Sequence, residues 1–477
     1  MLATGGILSV SRSFVALGCL ASLVAFLVVG CGGGGVTSTP PPPPPPPQQA
    51  PPPLILRTLY RVLVNGTDRT TTIGPSERSV YPLEAQLYYV PDAPASDRTT
   101  LNRMVSASGT DHADAIGPMN GYSVDETLGY PWSTTSFPGL IQIQEGFNSA
   151  TGDYAMLTPL ELLPGYIFQP LAPSGFPRYG NAGEVLLTLS AGGITVESNA
   201  VAGGVVWRWF WNGVQFINNG DYGREIQSDF YYPDSSNYNP TEAGDSNPRD
   251  NPVLAHGSPL LRFENQGSTQ ITRAVPLNWI AEVFGGDPDR PVIWNQMVLG
   301  KDLTLNFESM GSVAKYSTHL VLPTATKGTF EAPVIYLRSN FNRFYTYDAE
   351  SISLNEVTSQ LPSGCNFSAG YIFSPHFGGV IISDDSGANA MGIYGVDDAN
   401  GGSVNFFSIA NFICVGDGPG ESAGDTVAVA AVKGGFGGND NIFVFPAGES
   451  TYNTYLTSGT LQNVTTQMAL LYTMGAK

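Results

Sequence analysis

Apolar residues in this chain come in short runs that alternate with polar ones, and Gly, Pro, Asn or Asp soon interrupts each run. Glu184-Val-Leu-Leu-Thr-Leu-Ser190, Val205-Val-Trp-Arg-Trp-Phe-Trp211 and Lys301-Asp-Leu-Thr-Leu-Asn-Phe307 are typical. Almost no stretch keeps its apolar positions at helical spacing, so the pattern predicts strands and turns throughout. One part of the pattern recurs. Arg57-Thr-Leu-Tyr-Arg-Val-Leu-Val-Asn-Gly-Thr-Asp68, Arg98-Thr-Thr-Leu-Asn-Arg-Met-Val-Ser-Ala-Ser-Gly-Thr-Asp111 and Gly139-Leu-Ile-Gln-Ile-Gln-Glu-Gly-Phe-Asn-Ser-Ala-Thr-Gly-Asp153 are versions of one segment. Each is followed by a tyrosine module that begins at Tyr81, Tyr122 or Tyr166. The aspartates are 43 and 42 residues apart and the tyrosines 41 and 44. A steady period near forty means that each unit is one supersecondary element unable to bury its apolar face alone.

Three β-rich units of this length are the number that closes a β-trefoil. The repeats resemble a family found on secreted and wall-associated bacterial and fungal proteins, in which tyrosine-arginine is followed by aspartate-histidine. The resemblance covers roughly residues 54–180 and implies a lectin-like domain over residues 54–182. It makes Asp68, Arg69, Tyr81, Asp111, His112, Tyr122, Asp153, Tyr154 and Tyr166 candidate carbohydrate contacts. A plainer reading stands beside it, in which the aspartates turn the chain and the tyrosines pack between repeats. The third repeat departs most, with Gln142 where arginine stands in the others.

From residue 183 to Lys477 the strands lack any internal period, which suggests one large β domain. Its opening, Gly192 to Ser198, Gly203 to Gly213 and Gln215 to Gln227 with Asp221-Tyr-Gly-Arg224, resembles the galactose-mutarotase-like supersandwich. The segment Gly378 to Tyr394 is similar to a late hairpin of that fold. The expected architecture is therefore all-β, a β-trefoil-like domain followed by a large β-supersandwich. The resemblance implies a fold shared by aldose epimerases, polysaccharide lyases and non-catalytic parts of glycosidases, and fold alone does not choose among them.

The densest polar stretch runs from Asp221 to Arg262. Strand alternation puts Arg224, Ile226 and Ser228 on one face and Glu225, Gln227 and Asp229 on the other. Arg224 is a candidate to orient a sugar hydroxyl or to stabilise negative charge. Glu242 lies in a Pro- and Gly-rich segment of the kind that presents functional groups, and His256 is a candidate for proton transfer because histidine as a residue type titrates near neutrality. These three are the catalytic candidates for cleavage or epimerisation of a glycan. Each also has a structural reading: Arg224 paired with a local carboxylate, Glu242 bracing its loop, His256 held by hydrogen bonds. Trp207, Trp209 and Trp211 share one strand face, which suits either a sugar platform or a sheet core. No phosphate-cradling glycine loop, His-Glu-x-x-His or Gly-x-Ser-x-Gly elbow is present, so no cofactor is implied. His112, His256, His319 and His376 are too scattered to nominate a metal site.

Composition and the N-terminal segment place the chain. Arg12, the apolar run Phe14–Gly30 and Val28-Val-Gly-Cys31 resemble a bacterial lipoprotein signal over residues 1–31, whose lipobox cysteine, Cys31, receives lipid before cleavage. Residues 32–53, with Gly32–Gly35 and Pro40–Pro47, read as a linker that holds a domain off a membrane. The expected location is the bacterial cell envelope, at the outer membrane or cell surface, with membrane contact through the lipid alone. Apart from Arg12, the chain carries 40 acidic and 20 basic residues, a balance that argues against nucleic acid. Low charge with abundant Ser, Thr, Asn and Tyr suits a neutral glycan partner. Cys365 and Cys414 are the two remaining exported cysteines, and oxidation there makes a disulfide the expected pairing.

Overall fold

The computed structural model describes residues 53–135, 139–157, 163–177, 186–219, 225–232, 238–245, 256–279, 290–361, 371–373, 377–396, 404, 406–412, 426–433 and 443–476. Cys31, Arg224, Cys365, Cys414 and the expected boundary at 182/183 lie outside these residues. Strand is the dominant element of what is described, in accord with the alternating pattern, beside a C-terminal helix at Leu461–Thr473.

The repeats fold into three units of like construction. β1 (Leu54–Val64) pairs with both β2 (Asp68–Thr72) and β3 (Leu83–Pro91). β4 (Leu101–Ser106) pairs with β5 (His112–Ala115) and β6 (Tyr122–Gly129). β7 (Ile141–Asn148) pairs with β8 (Asp153–Leu157) and β9 (Ile167–Pro177). In every unit the first strand is the middle one. The first hairpin of each unit turns through a glycine of positive φ, Gly66 (76°), Gly109 (72°) and Gly152 (78°). A Cβ at these sites would meet nothing within 4 Å, so backbone conformation and not space calls for glycine. Among the described residues, only the first unit inserts a helix, α1 (Pro75–Val80), before its third strand.

β2, β5 and β8 pack against one another, so one strand from each unit lines a common centre. Around them Leu59, Leu87, Tyr88, Leu101, Leu128, Ile143 and Met156 form a buried cluster drawn from all three units.

Beyond the repeats, two large sheets face each other. A nine-stranded sheet runs in order from strand Leu260–Gln266 to strand Ser353–Glu356. A second sheet contains strands Gln227–Tyr231, Thr326–Arg338 and Thr426–Lys433, and its hydrogen bonding continues through Leu54 opposite Ile293 into β1, β2, β3, β7, β8 and β9 of the repeats, fifteen strands in all. Leu56, Tyr89, Trp132 and Phe176 share a buried cluster with Val275, Leu277 and Ile293. Asp92 pairs with Arg290 across this junction and with Arg57 of its own unit.

The sandwich interior settles the tryptophan question. Trp209 is fully buried and its indole Nε1 donates to Ser458 Oγ at 2.7 Å, while Trp207 is buried and Trp211 packs on the same core as Trp209. These rings are core, each worth a few kcal/mol at roughly 25 cal/mol per Å² of apolar surface. The late hairpin forms as expected, with strand Phe377–Ser383 paired to strand Ala390–Val396. Asp384 ties its turn by accepting from the backbone N–H groups of Ser386, Ala388 and Asn389.

Candidate functional site

The three equivalent aspartates meet. Each hairpin delivers its aspartate at or beside the start of the unit's second strand, and those strands are the ones packed together. One carboxylate oxygen from each of Asp68, Asp111 and Asp153 lies within 4.8 Å of the others. Asp68 and Asp153 are buried and Asp111 half-buried.

Three like charges so close need donors, and the flanking repeat residues supply them. His112 donates its backbone N–H to Asp68 at 3.3 Å and sets its ring Nδ1 at 2.6 Å from the other oxygen. That hydrogen bond raises the imidazole pKa against the opposing effect of burial. Arg69 donates its backbone N–H to Asp153 at 3.2 Å and its guanidinium to Glu84 at 2.9 Å and to the Tyr166 hydroxyl at 3.1 Å. Tyr166 in turn donates to Asp153, and Tyr122 to Asp111. Burial pushes Asp153 up, partly offset by its Tyr166 and Arg69 bonds. Burial, then the neighbouring charges of Glu145 and Asp111, raises Tyr154.

Eight of the nine expected contacts therefore belong to one neighbourhood. Tyr81 is the exception. It follows α1 and makes no bond to Asp68, whose donor is His112 instead. Arg69, His112, Tyr122, Tyr154 and Tyr166 remain half-buried, so the centre presents a rim of guanidinium, imidazole and phenol groups over a carboxylate floor. Such a rim can donate to and accept from hydroxyls and offers flat ring faces. The same carboxylates are the group, among the described residues, whose ligand atoms gather closely enough to hold a cation. Histidine spacing gave no hint of this, because the ligands are one aspartate per repeat.

The strand register corrects the third repeat. Arg61 lies opposite Thr71 and Arg103 opposite Asp114, and the matching position is Glu145 opposite Met156, not Gln142. Arg61 donates to Met156 O and Arg103 to Thr71 O, each crossing to a neighbouring unit. Glu145 instead accepts from the Asp114 backbone N–H at 3.1 Å. Burial, then the charge of Asp114, lifts Glu145 to about 8, and burial lifts Asp114 to about 6 despite a 2.6 Å bond from Thr71.

The candidates from the second region fare differently. Glu242, expected on a loop open to ligand, is completely buried between the sheets. Its Oε2 accepts from Ser228 N at 2.8 Å and its Oε1 lies 3.5 Å from Lys301 Nζ. Lys301, also fully buried, donates to Gly204 O at 2.9 Å and Thr272 Oγ1 at 3.0 Å, and burial lowers its pKa. A Cβ on Gly203 would strike Glu242 O at 1.9 Å, so glycine there admits the loop. His256 lies in a two-residue strand opposite Asp245. The structure therefore does not unite Glu242 with a solvent-facing site.

A pair that the sequence did not single out lies on the same sheet. Asp229 stands directly opposite Glu331 on antiparallel strands, and both keep some exposure. Burial raises both carboxyls, Glu331 also through the charge of Asp229. An acid inside the apolar run Phe330–Ile335 was the available signal for Glu331.

No family model matches the chain, and no curated relative matches it. Among solved structures, it is similar to a galactose mutarotase related enzyme from Lactobacillus acidophilus at 10% identity and TM-score 0.36, over 58% of this chain and 98% of that one. A putative aldose 1-epimerase from Klebsiella pneumoniae overlaps at 9% identity and TM-score 0.36, over 62% and 84%. A 4-alpha-glucanotransferase from Thermococcus litoralis overlaps at 10% identity and TM-score 0.33, over 58% and 38%. Overlaps this loose place the chain in no family and transfer no residue role.

Proposed function

We propose that this protein is an exported, lipid-anchored glycan-binding protein of the cell envelope, with a trefoil-like lectin region over residues 54–182. The observation that carries the reading is the convergence of Asp68, Asp111 and Asp153 within 4.8 Å beneath half-buried Arg69, His112, Tyr122, Tyr154 and Tyr166. Carboxylates accept sugar hydroxyls, arginine and imidazole donate to them, and phenol rings pack on C–H faces. Because the three units share one centre, the reading specifies one such site per chain and not three. The test is a panel of soluble glycans titrated against the wild-type chain and Asp153→Asn. Binding by some panel member that weakens at least about tenfold in the variant supports the reading. Binding indifferent to Asp153→Asn, or no binding at all, contradicts it.

A second reading, glycan cleavage or epimerisation, draws on Asp229 and Glu331. As directly opposed cross-strand neighbours they share one sheet face, with Cβ atoms about 5 Å apart, so their carboxyls can act as a pair of the kind that flanks a glycosidic bond. Raised carboxyls can hold the proton that a general acid needs. New reducing ends or a changed anomer ratio, abolished in Glu331→Gln, supports this reading, and glycans recovered unchanged oppose it.

A further inference from the structure

A separate cavity lies at the other end of the third repeat. Its volume is about 730 Å³, within the range of small-ligand sites. Gln142 and Gln144 from β7 and Ser174 from β9 line it, with Thr134, Leu140 and Pro170. Gln142 lies six residues from Asn148, the partner of Asp153, which is roughly 20 Å along an extended strand. This cavity is therefore distinct from the carboxylate centre.

Three features point to the kind of ligand it takes. First, no charged residue lines it among the described residues, although the chain carries a net charge of −19. A charged ligand there would lose water without gaining a counter-charge. Second, Ser174 is wholly buried, its backbone N–H and C=O both paired with Trp132, yet its side-chain Oγ has no partner. A buried hydroxyl left unbonded on a cavity wall is a free donor and acceptor, and such groups in native proteins are uncommon. Third, β7 and β9 pair with a register shift between Gln142 and Gln144, at the point opposite Ser174. Irregularities of this kind re-aim side chains and are found beside binding sites. The wall thus offers carboxamides and hydroxyls, each both donor and acceptor, beside the apolar surfaces of Leu140 and Pro170.

We infer that this cavity is a binding subsite for an uncharged, hydroxyl-rich ligand, a neutral saccharide residue, held by Ser174, Gln142 and Gln144. The inference goes beyond the proposed lectin centre and does not depend on it.

The test uses the full chain with the centre silenced by Asp111→Asn and Asp153→Asn, its fold checked by circular dichroism. Maltotriose and cellotriose serve as neutral probes, trigalacturonate as the anionic probe and a chitosan trimer as the cationic one, followed by calorimetry and NMR. The expected result is saturable binding of a neutral trisaccharide that falls at least about tenfold in Gln142→Ala and in Ser174→Ala. Charged probes bind at least about tenfold more weakly. No neutral binding in the silenced chain, binding unchanged by Gln142→Ala, or equal binding of all four probes would overturn the inference. If Gln142→Ala removes binding that the aspartate variants leave intact, the subsite stands and the lectin-centre reading alone fails. The reverse pattern leaves the centre and removes the subsite.

Discussion

In the repeat region Asp68, Asp111 and Asp153 gather under side chains that solvent still reaches, whereas in the sandwich Glu242 and Lys301 meet where it does not. Both are clusters of charge, and both are threaded with backbone hydrogen bonds. They differ in what surrounds them. At the carboxylate centre the side-chain donors are phenols and an imidazole, with the Arg69 guanidinium held beside them by Tyr166, groups that can exchange a partner for a ligand. At Glu242 the donors are Ser228 N and an ammonium itself locked by Gly204 O and Thr272, so the cluster serves the packing of two sheets. A charged residue's chemistry follows from the face on which the fold leaves it, not from the density of polar neighbours in sequence.

The largest effect that would break this contrast is at Lys301. Lys301→Ala strands Glu242 without its partner ammonium, and unfolding in urea should show a loss of about 3–5 kcal/mol. Combining Lys301→Met with Glu242→Gln should recover most of it, because a neutral pair removes the desolvated charges. A Lys301→Ala loss below about 1 kcal/mol would mean that the pair is no structural keystone.

The next effect lies at Glu145, where the third repeat departs from the others. Its folded pKa, about 8, is above the ordinary carboxyl value. The stabilisation is thus complete below the unfolded value and is lost as pH rises through about 8. Wild-type stability should fall between pH 5 and pH 9 by roughly 2–4 kcal/mol from this group. Glu145→Gln, which stays neutral, should flatten that part of the profile, as read from denaturant midpoints across pH. Parallel profiles for the two chains would refute the assignment.

The smallest effect separates the units. Tyr122→Phe and Tyr166→Phe each remove a phenol donor to an aspartate and should cost about 1 kcal/mol, whereas Tyr81→Phe removes none and should be neutral. Equal costs at all three tyrosines, measured by thermal unfolding, would show that the helix in the first unit changes nothing.

How legible these features are follows from the same contrast. The repeat carried its own three-dimensional information, because equivalent positions in equivalent units must be placed alike. That is why Asp68, Asp111 and Asp153 could be grouped from their spacing. The register of β7 could not be read that way, since Gln142 and Glu145 are both polar and only strand pairing tells which one replaces arginine. In the sandwich no period relates one strand to another. Alternation placed Trp207, Trp209 and Trp211 on one face without saying which face was wet, and the Ser458 partner of Trp209 is 249 residues away. The approach of Asp229 to Glu331 likewise depends on a pairing across about a hundred residues that no local pattern encodes.

The claim that three repeats build one binding centre is tested most directly by stoichiometry. A glycan that binds the wild-type chain is titrated calorimetrically into the Gln142→Ala chain, so that the lateral cavity does not contribute, and then into the same chain carrying Asp153→Asn. One site per chain, weakened at least about tenfold by the second substitution, is the predicted result. Three equivalent sites, or a single site that ignores Asp153, would contradict it.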